Sequence, residues 1–365
     1  MSNKPVLVHV ITNFAGIGGA EMMLSRLITA TEDQYQHVII ALMNISDVYA
    51  QTLARCQAYY ALHWNGLNTV KVLYQLRQLL KQLAPQTVQC WMYHANVMTS
   101  LSVLGLRQKP AVVWGIHHSL AAPQQESIST KLALYLSRLL TTQCHAIIYC
   151  AHSALTQHQD FGLQHTQAHV IANGINLDQF QPHMALQQPC VIGFAGNYRP
   201  AKGYDYLFAT IAQLKDQPIV FKIAGQGADL NHPEIRHYFE QYQLSEGQVQ
   251  LCGQVSDMPA FYQSVDVFLM TSITEGFPNV LVEAMASGLP CISTDVGDAA
   301  YIVQNIGEIV APRDVQGLVQ AILNYLQLST SEKLQLKQAA RQRVTGHFSI
   351  ESVSQQYLDV WSKSQ

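Results

Sequence analysis

No run of about eighteen apolar residues occurs in this sequence, so a membrane-spanning helix is not expected. No C-x-x-C occurs either. The seven cysteines, at 56, 90, 144, 150, 190, 252 and 291, are odd in number and widely spaced, and read as buried free thiols of a reducing compartment. Charge is scarce: 12% of residues are charged against 48% hydrophobic, which excludes a disordered chain. The formal net charge of −3 gives no electrostatic case for a nucleic-acid partner. No D-x-D triad is present, and Asp295 and Asp298 are too far apart to imitate one, so neither a metal nor another cofactor is expected. The opening MSNKPVLVHVI reads as a strand rather than a secretion signal. The expected location is the cytoplasm, with peripheral contact at the cytoplasmic face of the membrane left open. Nothing in the sequence specifies an oligomeric state.

What is present suits two domains, by the usual size prior for 365 residues. The organising stretch is TSITEGFPNVLVEAMASG, from Thr271 to Gly288. The apolar run Val265 to Ser272 precedes it as a buried parallel strand. A short helix follows, with Pro278 suited to its start and Gly288 to its stop. Glu283 lies in that helix among apolar neighbours, where a carboxylate is seldom buried without partners. Helix side chains lean toward the N-terminus. Glu283 can therefore reach back toward Glu275 and the backbone of Gly276 and Phe277, a grouping that suits a ligand with hydroxyls and phosphates. The other reading of the same spacing is a solvated loop carboxylate and a helix glutamate capping a neighbouring amide.

Along the chain, VLVHVIT (Val6 to Thr12) is a strand, NFAGIGG a turn and Ala20 to Glu32 a helix, geometry that aims backbone N–H groups at an anion near Gly18 and Gly19. The glycines depart from the G-x-G-x-x-G spacing of dinucleotide binders, which disfavours a redox Rossmann domain. His94 and Asn96 stand where a strand passes into a helix. His117 and His118 close the strand begun at Ala111, at the end where ligands of parallel sheets collect. If that strand persists, one imidazole faces the cleft and the other packs. Asn173-Gly174 is a turn pair. From Leu177 to Cys190 periodicity is lost and two prolines occur, which reads as the inter-domain linker. A strand from Cys190 then leads to a turn holding Arg199 and Lys202, ahead of a helix from Tyr204. Two cations near a helix start are favourable when an anion lies between them. Strands follow at 219–229, ending in the G-Q-G of Gly225, and at 249–255.

EGFPNVLVE resembles the E-x7-E signature of the retaining glycosyltransferases of family 4. The G-G-A-E of Gly18 to Glu21, the R-P-A-K-G of Arg199 to Gly203 and the N-G-I-N of Asn173 to Asn176 are similar to that family's loops, the last with asparagine for the usual aspartate. W-M-Y-H-A followed by V-V-W-G-I-H-H-S resembles a bacterial subgroup acting on envelope saccharides. The resemblance implies an α/β protein of GT-B fold, two Rossmann-like doubly wound domains facing across a cleft. An acceptor-binding domain at 1–180, completed by a C-terminal helix at about 348–365, would precede a donor-binding domain at 190–345. It further implies transfer of a sugar, with retention, from a nucleoside diphosphate (UDP by default) to a saccharide or lipid-linked acceptor of capsule, lipopolysaccharide or exopolysaccharide. Arg199 and Lys202 would neutralise the leaving diphosphate, Glu275 hold the sugar and Glu283 the ribose. Gly18, Gly19, Gly225, Gly253, Val255, Gly276, Phe277 and Asn279 would contribute to the donor site. His117 or His118, with His94, Asn96 and Asn173, would serve the acceptor side. The alternatives are a non-catalytic nucleotide-sugar-binding subunit and a GT-B-like nucleotide-sugar epimerase.

Overall fold

The computed structural model describes residues 4–363. The first three residues of the expected N-terminal domain and residues 364–365 of the expected terminal helix lie outside them. The chain divides into two compact units: one runs to Gly174 and resumes at Ile350, and the other is Ile175–Ser349.

The first unit is built on seven parallel strands: β1 (Val6–Ile11), β2 (Gln36–Ala41), β3 (Ala58–Ala61), β4 (Thr87–Trp91), β5 (Ala111–Ile116), β6 (Ala146–Tyr149) and β7 (Ala168–Val170). Their order is β3-β2-β1-β4-β5-β6-β7. Runs such as VLVHVI and AVVWGI are buried almost throughout, as required of strands covered on both faces. The helices are α1 (Gly19–Thr31), α2 (Ala50–Leu53), α3 (Thr69–Leu83), α4 (Tyr93–Ser102), α5 (Ile128–Leu140) and α6 (His152–Asp160). In α3 the buried Val72, Leu76 and Leu80 recur every fourth residue, and the helix stops at the left-handed Ala84 just before Pro85. The last helix of the chain, Ile350–Lys363, belongs to this unit. Its Val353, Tyr357 and Trp361 enter the core, and Trp361 Nε1 donates to Gln89 Oε1 at 2.9 Å.

The second unit repeats the scheme with six parallel strands: β8 (Cys190–Ala195), β9 (Ile219–Ala224), β10 (Val249–Gly253), β11 (Val267–Met270), β12 (Cys291–Thr294) and β13 (Glu308–Val310). Their order is β10-β9-β8-β11-β12-β13. The helices are α7 (Tyr204–Gln213), α8 (Pro233–Tyr242), α9 (Met258–Gln263), α10 (Asn279–Ala286), α11 (Ala299–Val303), α12 (Val315–Gln327) and α13 (Thr330–His347), which makes the final helix α14. In each sheet the strand order reverses beside the first strand of the unit. Loops leaving the carboxyl ends there diverge and open a crevice.

Two expectations need correction. Leu177–Cys190 is not a free linker but is fastened to the second unit. Phe180 is buried against Tyr262, and the fully buried Lys337 donates to the carbonyl oxygens of His183 and Ala185 at 2.9 and 3.2 Å. The Asp266 carboxylate accepts from the amides of Gln187 and Val191 at 3.0 and 2.9 Å. Lost periodicity marks irregular backbone, which tertiary hydrogen bonds can still hold. The strand from Ala111 also ends at Ile116, so His117 and His118 lie beyond it and strand alternation does not set their directions.

Candidate functional site

In the second unit a cavity of about 360 Å³ opens at the carboxyl ends of β8, β9 and β10. The loop after β8 lines it with Gly196, Asn197, Arg199 and Lys202; Gly225, Gln254, Val255, Met258, Val280 and Glu283 complete the wall. Arg199 and Lys202 belong to a single 3₁₀ turn leading into α7. The orphan N–H groups of that helix start add to their attraction for an anion.

Lys202 is tied down. Its Nζ donates to Glu275 Oε1 at 2.6 Å, the two side chains 24% and 15% exposed, and Ser272 Oγ donates to the same oxygen at 2.7 Å. Gly203 is what brings these loops together. It has φ +64°, and a Cβ there would overlap the carbonyl oxygen of Thr271, whose own hydroxyl donates to the Lys202 and Gly203 carbonyls. Gly297, at φ +57°, packs in the same way on the carbonyls of Glu275 and Gly276. Only glycine tolerates both the conformation and the approach.

Glu283 projects from α10 into the cavity wall, where Tyr262 OH donates to its Oε2 at 3.0 Å. Burial, and then the neighbouring Glu283, push the Tyr262 hydroxyl far above its ordinary range, so it remains a donor. The two glutamates of the E-x7-E stretch therefore have separate partners: Glu275 serves the cation and Glu283 faces the cavity. Gly276, Phe277 and Asn279 form the turn into α10, where the Phe277 ring is buried against Phe348. Gly253 stands at the end of β10, with its carbonyl accepting from Gly225 N–H at 2.7 Å.

The first unit has its own crevice of about 260 Å³, at the carboxyl ends of β1, β4 and β5. Thr12, Asn13, Glu21, Met92, Tyr93, His94, His118, Glu126 and Thr130 line it. His118 is the cavity-facing member of the histidine pair, with Nε2 2.8 Å from Glu126 Oε1. His117 instead stacks on Trp91, ring centroids 5.1 Å apart. Burial lowers it to about 4, with Asn173 opposing, so it is neutral at pH 7. His94 is lowered too, by burial, and lies 5.2 Å from the Trp64 ring. Asn96 is fully buried within α4 and Asn173 nearly so; neither lines the crevice. Gly18 caps α1 and Gly19 begins it, while Glu21 in the first turn has its carboxyl raised by burial. Met92 holds φ +74°, a conformation unusual for a side-chain-bearing residue, at the start of α4. Strain of that kind clusters at ligand sites.

Residues 17–179 match the family model for glycosyltransferase family 4, and residues 189–328 match that for glycosyl transferases group 1. Glycosyltransferase models thus match both halves of the chain, one model to each. The chain is 28% identical, over 54% of its length, to the putative colanic acid biosynthesis glycosyltransferase WcaL of Escherichia coli K12, and spans about half of that relative, 52%. Over 80% of both chains it is 21% identical to the UDP-Gal:alpha-D-GlcNAc-diphosphoundecaprenol alpha-1,3-galactosyltransferase of Escherichia coli. The crystal structure of Anabaena Alr3699/HepE in complex with UDP superposes with a TM-score of 0.81 at 18% identity, covering 98% of this chain and all of that one. The fold is GT-B.

Sequence reasoning missed Glu126, Asn197, Tyr262 and Ser272 as site residues, and named Glu21 only as part of the G-G-A-E loop. A signal for Glu126 was available: it is the only acidic residue between Asp47 and Asp160. Tyr262 gave none, because its partner Glu283 lies in another element.

Proposed function

We propose that this chain transfers a sugar, with retention of anomeric configuration, from a nucleoside diphosphate donor to a saccharide or lipid-linked acceptor of bacterial surface polysaccharide. The observation that carries the reading is the cavity holding Arg199, Lys202 and Glu283, with Lys202 pinned by Glu275 at 2.6 Å. Departure of a diphosphate requires charge neutralisation more than a proton, and a fixed ammonium, a guanidinium and a helix start supply it without reorganisation. The reaction needs no divalent cation on this account, since the protein's own cations replace it. Glu275 holds sugar hydroxyls with the oxygen that Lys202 and Ser272 leave free. Glu283, oriented by Tyr262 at the cavity wall, binds the ribose hydroxyls.

UDP is the nucleotide we assign: the HepE structure of the same fold holds UDP. The galactosyltransferase relative takes a UDP-sugar and a diphosphoundecaprenol-linked acceptor, which supports a lipid-linked acceptor here. The acceptor falls to the first unit's crevice, where His118 and Glu126 orient a hydroxyl and Glu21 and His94 bound the sugar. Mass-spectrometric screening of donor hydrolysis over a nucleotide-sugar panel tests the assignment. Hydrolysis of one UDP-sugar, lost in both Glu275→Ala and Lys202→Ala, is expected. Unchanged activity in those variants would remove the site.

A further inference from the structure

We infer that the loop after β3, residues 63–69, forms a second sugar subsite beside the first unit's crevice, so that the acceptor is a saccharide of at least two residues. The acceptor's place in that crevice is taken from the reading above. At about 260 Å³ the crevice falls below the range of cavities that take drug-sized ligands, about 300–1,000 Å³, so it suits one sugar residue rather than a chain. Two of its lining residues lead on to the loop. Asn13 Oδ1 accepts from the Asn44 N–H at 3.3 Å, and Asn44 Oδ1 accepts from His63 Nδ1 at 3.2 Å. The His94 ring lies beside the Trp64 indole, ring centroids 5.2 Å apart. The loop therefore adjoins the crevice at two points, through Asn44 and through His94.

Hydrogen bonds within the loop hold it in shape. The backbone N–H groups of His63 and Trp64 pair with the carbonyls of Met43 and Leu42 at 3.1 and 2.7 Å. Asn65 Oδ1 accepts from the N–H groups of Leu67 and Asn68, Asn68 Nδ2 donates to the His63 carbonyl at 2.9 Å, and Trp64 Nε1 donates to Thr69 Oγ1 at 3.0 Å. What these bonds leave over is what a sugar needs. Because His63 donates from Nδ1, its Nε2 is an acceptor, while Asn44 Nδ2 and Asn13 Nδ2 are donors with no other partner among the described residues. His63 and Asn44 are exposed, and the Trp64 indole is half-buried. Sugar hydroxyls donate and accept at once, which suits amide and imidazole edges side by side. The C–H face of a pyranose packs on the electron-rich face of an indole, as other positive edges do.

Charge narrows the occupant further. From Cys56 to Val70 the chain has no lysine, arginine, aspartate or glutamate, so a phosphate gains nothing on this loop and an uncharged sugar loses nothing. The residue that receives the new sugar then occupies the crevice, and its neighbour lies on Trp64. An earlier glycosyl transfer must supply such an acceptor, and this chain extends that product.

Acrylamide quenching of tryptophan emission in the full chain tests this. Trp91, Trp114 and Trp361 are fully buried, so Trp64 is the quenchable one of the four. The probes are methyl glycosides of glucose, galactose, mannose and N-acetylglucosamine and disaccharides of the same sugars, with glycerol at equal concentration as the control. At least one disaccharide is expected to lower the quenching constant twofold or more where the methyl glycosides and glycerol leave it unchanged. Asn44→Ala with His63→Ala should need severalfold more of that disaccharide for the same protection, at an unchanged melting temperature. In calorimetry with the same disaccharide, Trp64→Ala should lose tenfold or more in affinity and Trp64→Phe, which keeps a ring but not the bond to Thr69, severalfold less than that. Equal losses in the two variants would leave the indole a structural role only and overturn the inference. So would equal protection by a disaccharide and its methyl glycoside, or protection by no probe. Donor hydrolysis by the wild type separates this from the proposed activity. Protection without hydrolysis leaves a saccharide site standing and sinks the enzymatic reading, whereas hydrolysis without protection sinks only the subsite.

Discussion

Lowering the pH from 7 to 5 is expected to unfold the first unit selectively. Buried side chains there form a one-way hydrogen-bond chain. Trp91 Nε1–H points to His9 Nδ1 at 3.4 Å, and His9 Nε2 lies 3.0 Å from His37 Nδ1. His37 Nε2 lies 3.1 Å from the Thr31 hydroxyl, which itself donates to the Leu27 carbonyl. Because Trp91 only donates and a carbonyl only accepts, every link is satisfied when both imidazoles are neutral. A second proton on either one sets donor against donor. His158 is similarly placed: Nδ1 donates to the Ala154 carbonyl at 2.7 Å, leaving Nε2 to accept from Tyr93 OH at 2.6 Å.

Burial lowers His37, His117 and His158 to about 4, and His9 well below its ordinary 6.5. Glu32 and Lys4 act on His37 in opposite senses, and both effects are smaller than burial. A depressed folded-state pKa means that stability is present above the unfolded value and lost as the pH falls from about 6.5 toward 4. At pH 5 each histidine shifted from 6.5 to 4 costs about 2 kcal/mol, so three cost about 6 kcal/mol before His9 is counted. That is comparable with the whole stability of a typical domain, about 5–15 kcal/mol. Glu21, with its raised carboxyl, acts in the opposite sense but is one group against four. The four histidines of the second unit are all exposed or half-buried. All four tryptophans, Trp64, Trp91, Trp114 and Trp361, lie in the first unit. Tryptophan emission during urea titration therefore reports that unit alone. Its midpoint should drop steeply between pH 6.5 and 5, and less steeply in His37→Gln. A midpoint independent of pH over that interval would refute the reasoning.

Lys202→Ala and Glu275→Ala should each lower donor turnover by about 10²- to 10³-fold, as loss of one preorganised charge does elsewhere. Lys202→Arg should rescue only in part, because the pocket around Ser272 and Glu275 fits a point charge; steady-state kinetics on the preferred donor checks both. Gly203→Ala forces a side chain against the Thr271 carbonyl at φ +64°. It should cost about 1–2 kcal/mol from the left-handed backbone alone, more from the overlap, and misplace Lys202, visible as a lower urea midpoint together with lost turnover. Tyr262→Phe removes a hydrogen bond to a carboxylate worth about 1.5–3 kcal/mol. It should raise the donor KM more than it lowers kcat, because its partner Glu283 is assigned to the ribose rather than to the reacting centre.

The strands and their parallel arrangement were legible because each is an apolar run bounded by turn residues, as in CVIGFA or VFLM. The short edge strand β3, AYYA, was not: it is only four residues long, none of them fully buried, and pairing with β2 is what makes it a strand. The cationic turn at Arg199 and Lys202 was readable, since charges beside a helix start are unfavourable without a ligand. The Lys202–Glu275 pair was not, because 73 residues separate its members. The histidine pair shows the limit of local reasoning. Alternation predicts opposite faces for His117 and His118, and they do differ in environment. The cause is that the strand ends at Ile116, after which stacking on Trp91 fixes one ring and Glu126 the other.

The two units solve one problem with different materials. Both place a crevice at the carboxyl ends of strands beside the point where strand order reverses, as the topology dictates. In the second unit the wall is made of loops locked by glycine contacts and a pinned lysine, so its charge stands ready for a strongly anionic ligand. In the first unit the wall carries neutral or half-buried imidazoles and the carboxyls of Glu21 and Glu126, groups that accept and donate hydrogen bonds without a large net field. A diphosphate would gain little there, and an uncharged hydroxyl would gain little beside Lys202. This division supports, on electrostatic grounds and apart from any resemblance, the proposal that the donor binds the second unit and the acceptor the first. Isolated binding of UDP should accordingly be abolished by Arg199→Ala with Lys202→Ala and left intact by His118→Ala; isothermal calorimetry showing the reverse would exchange the two assignments.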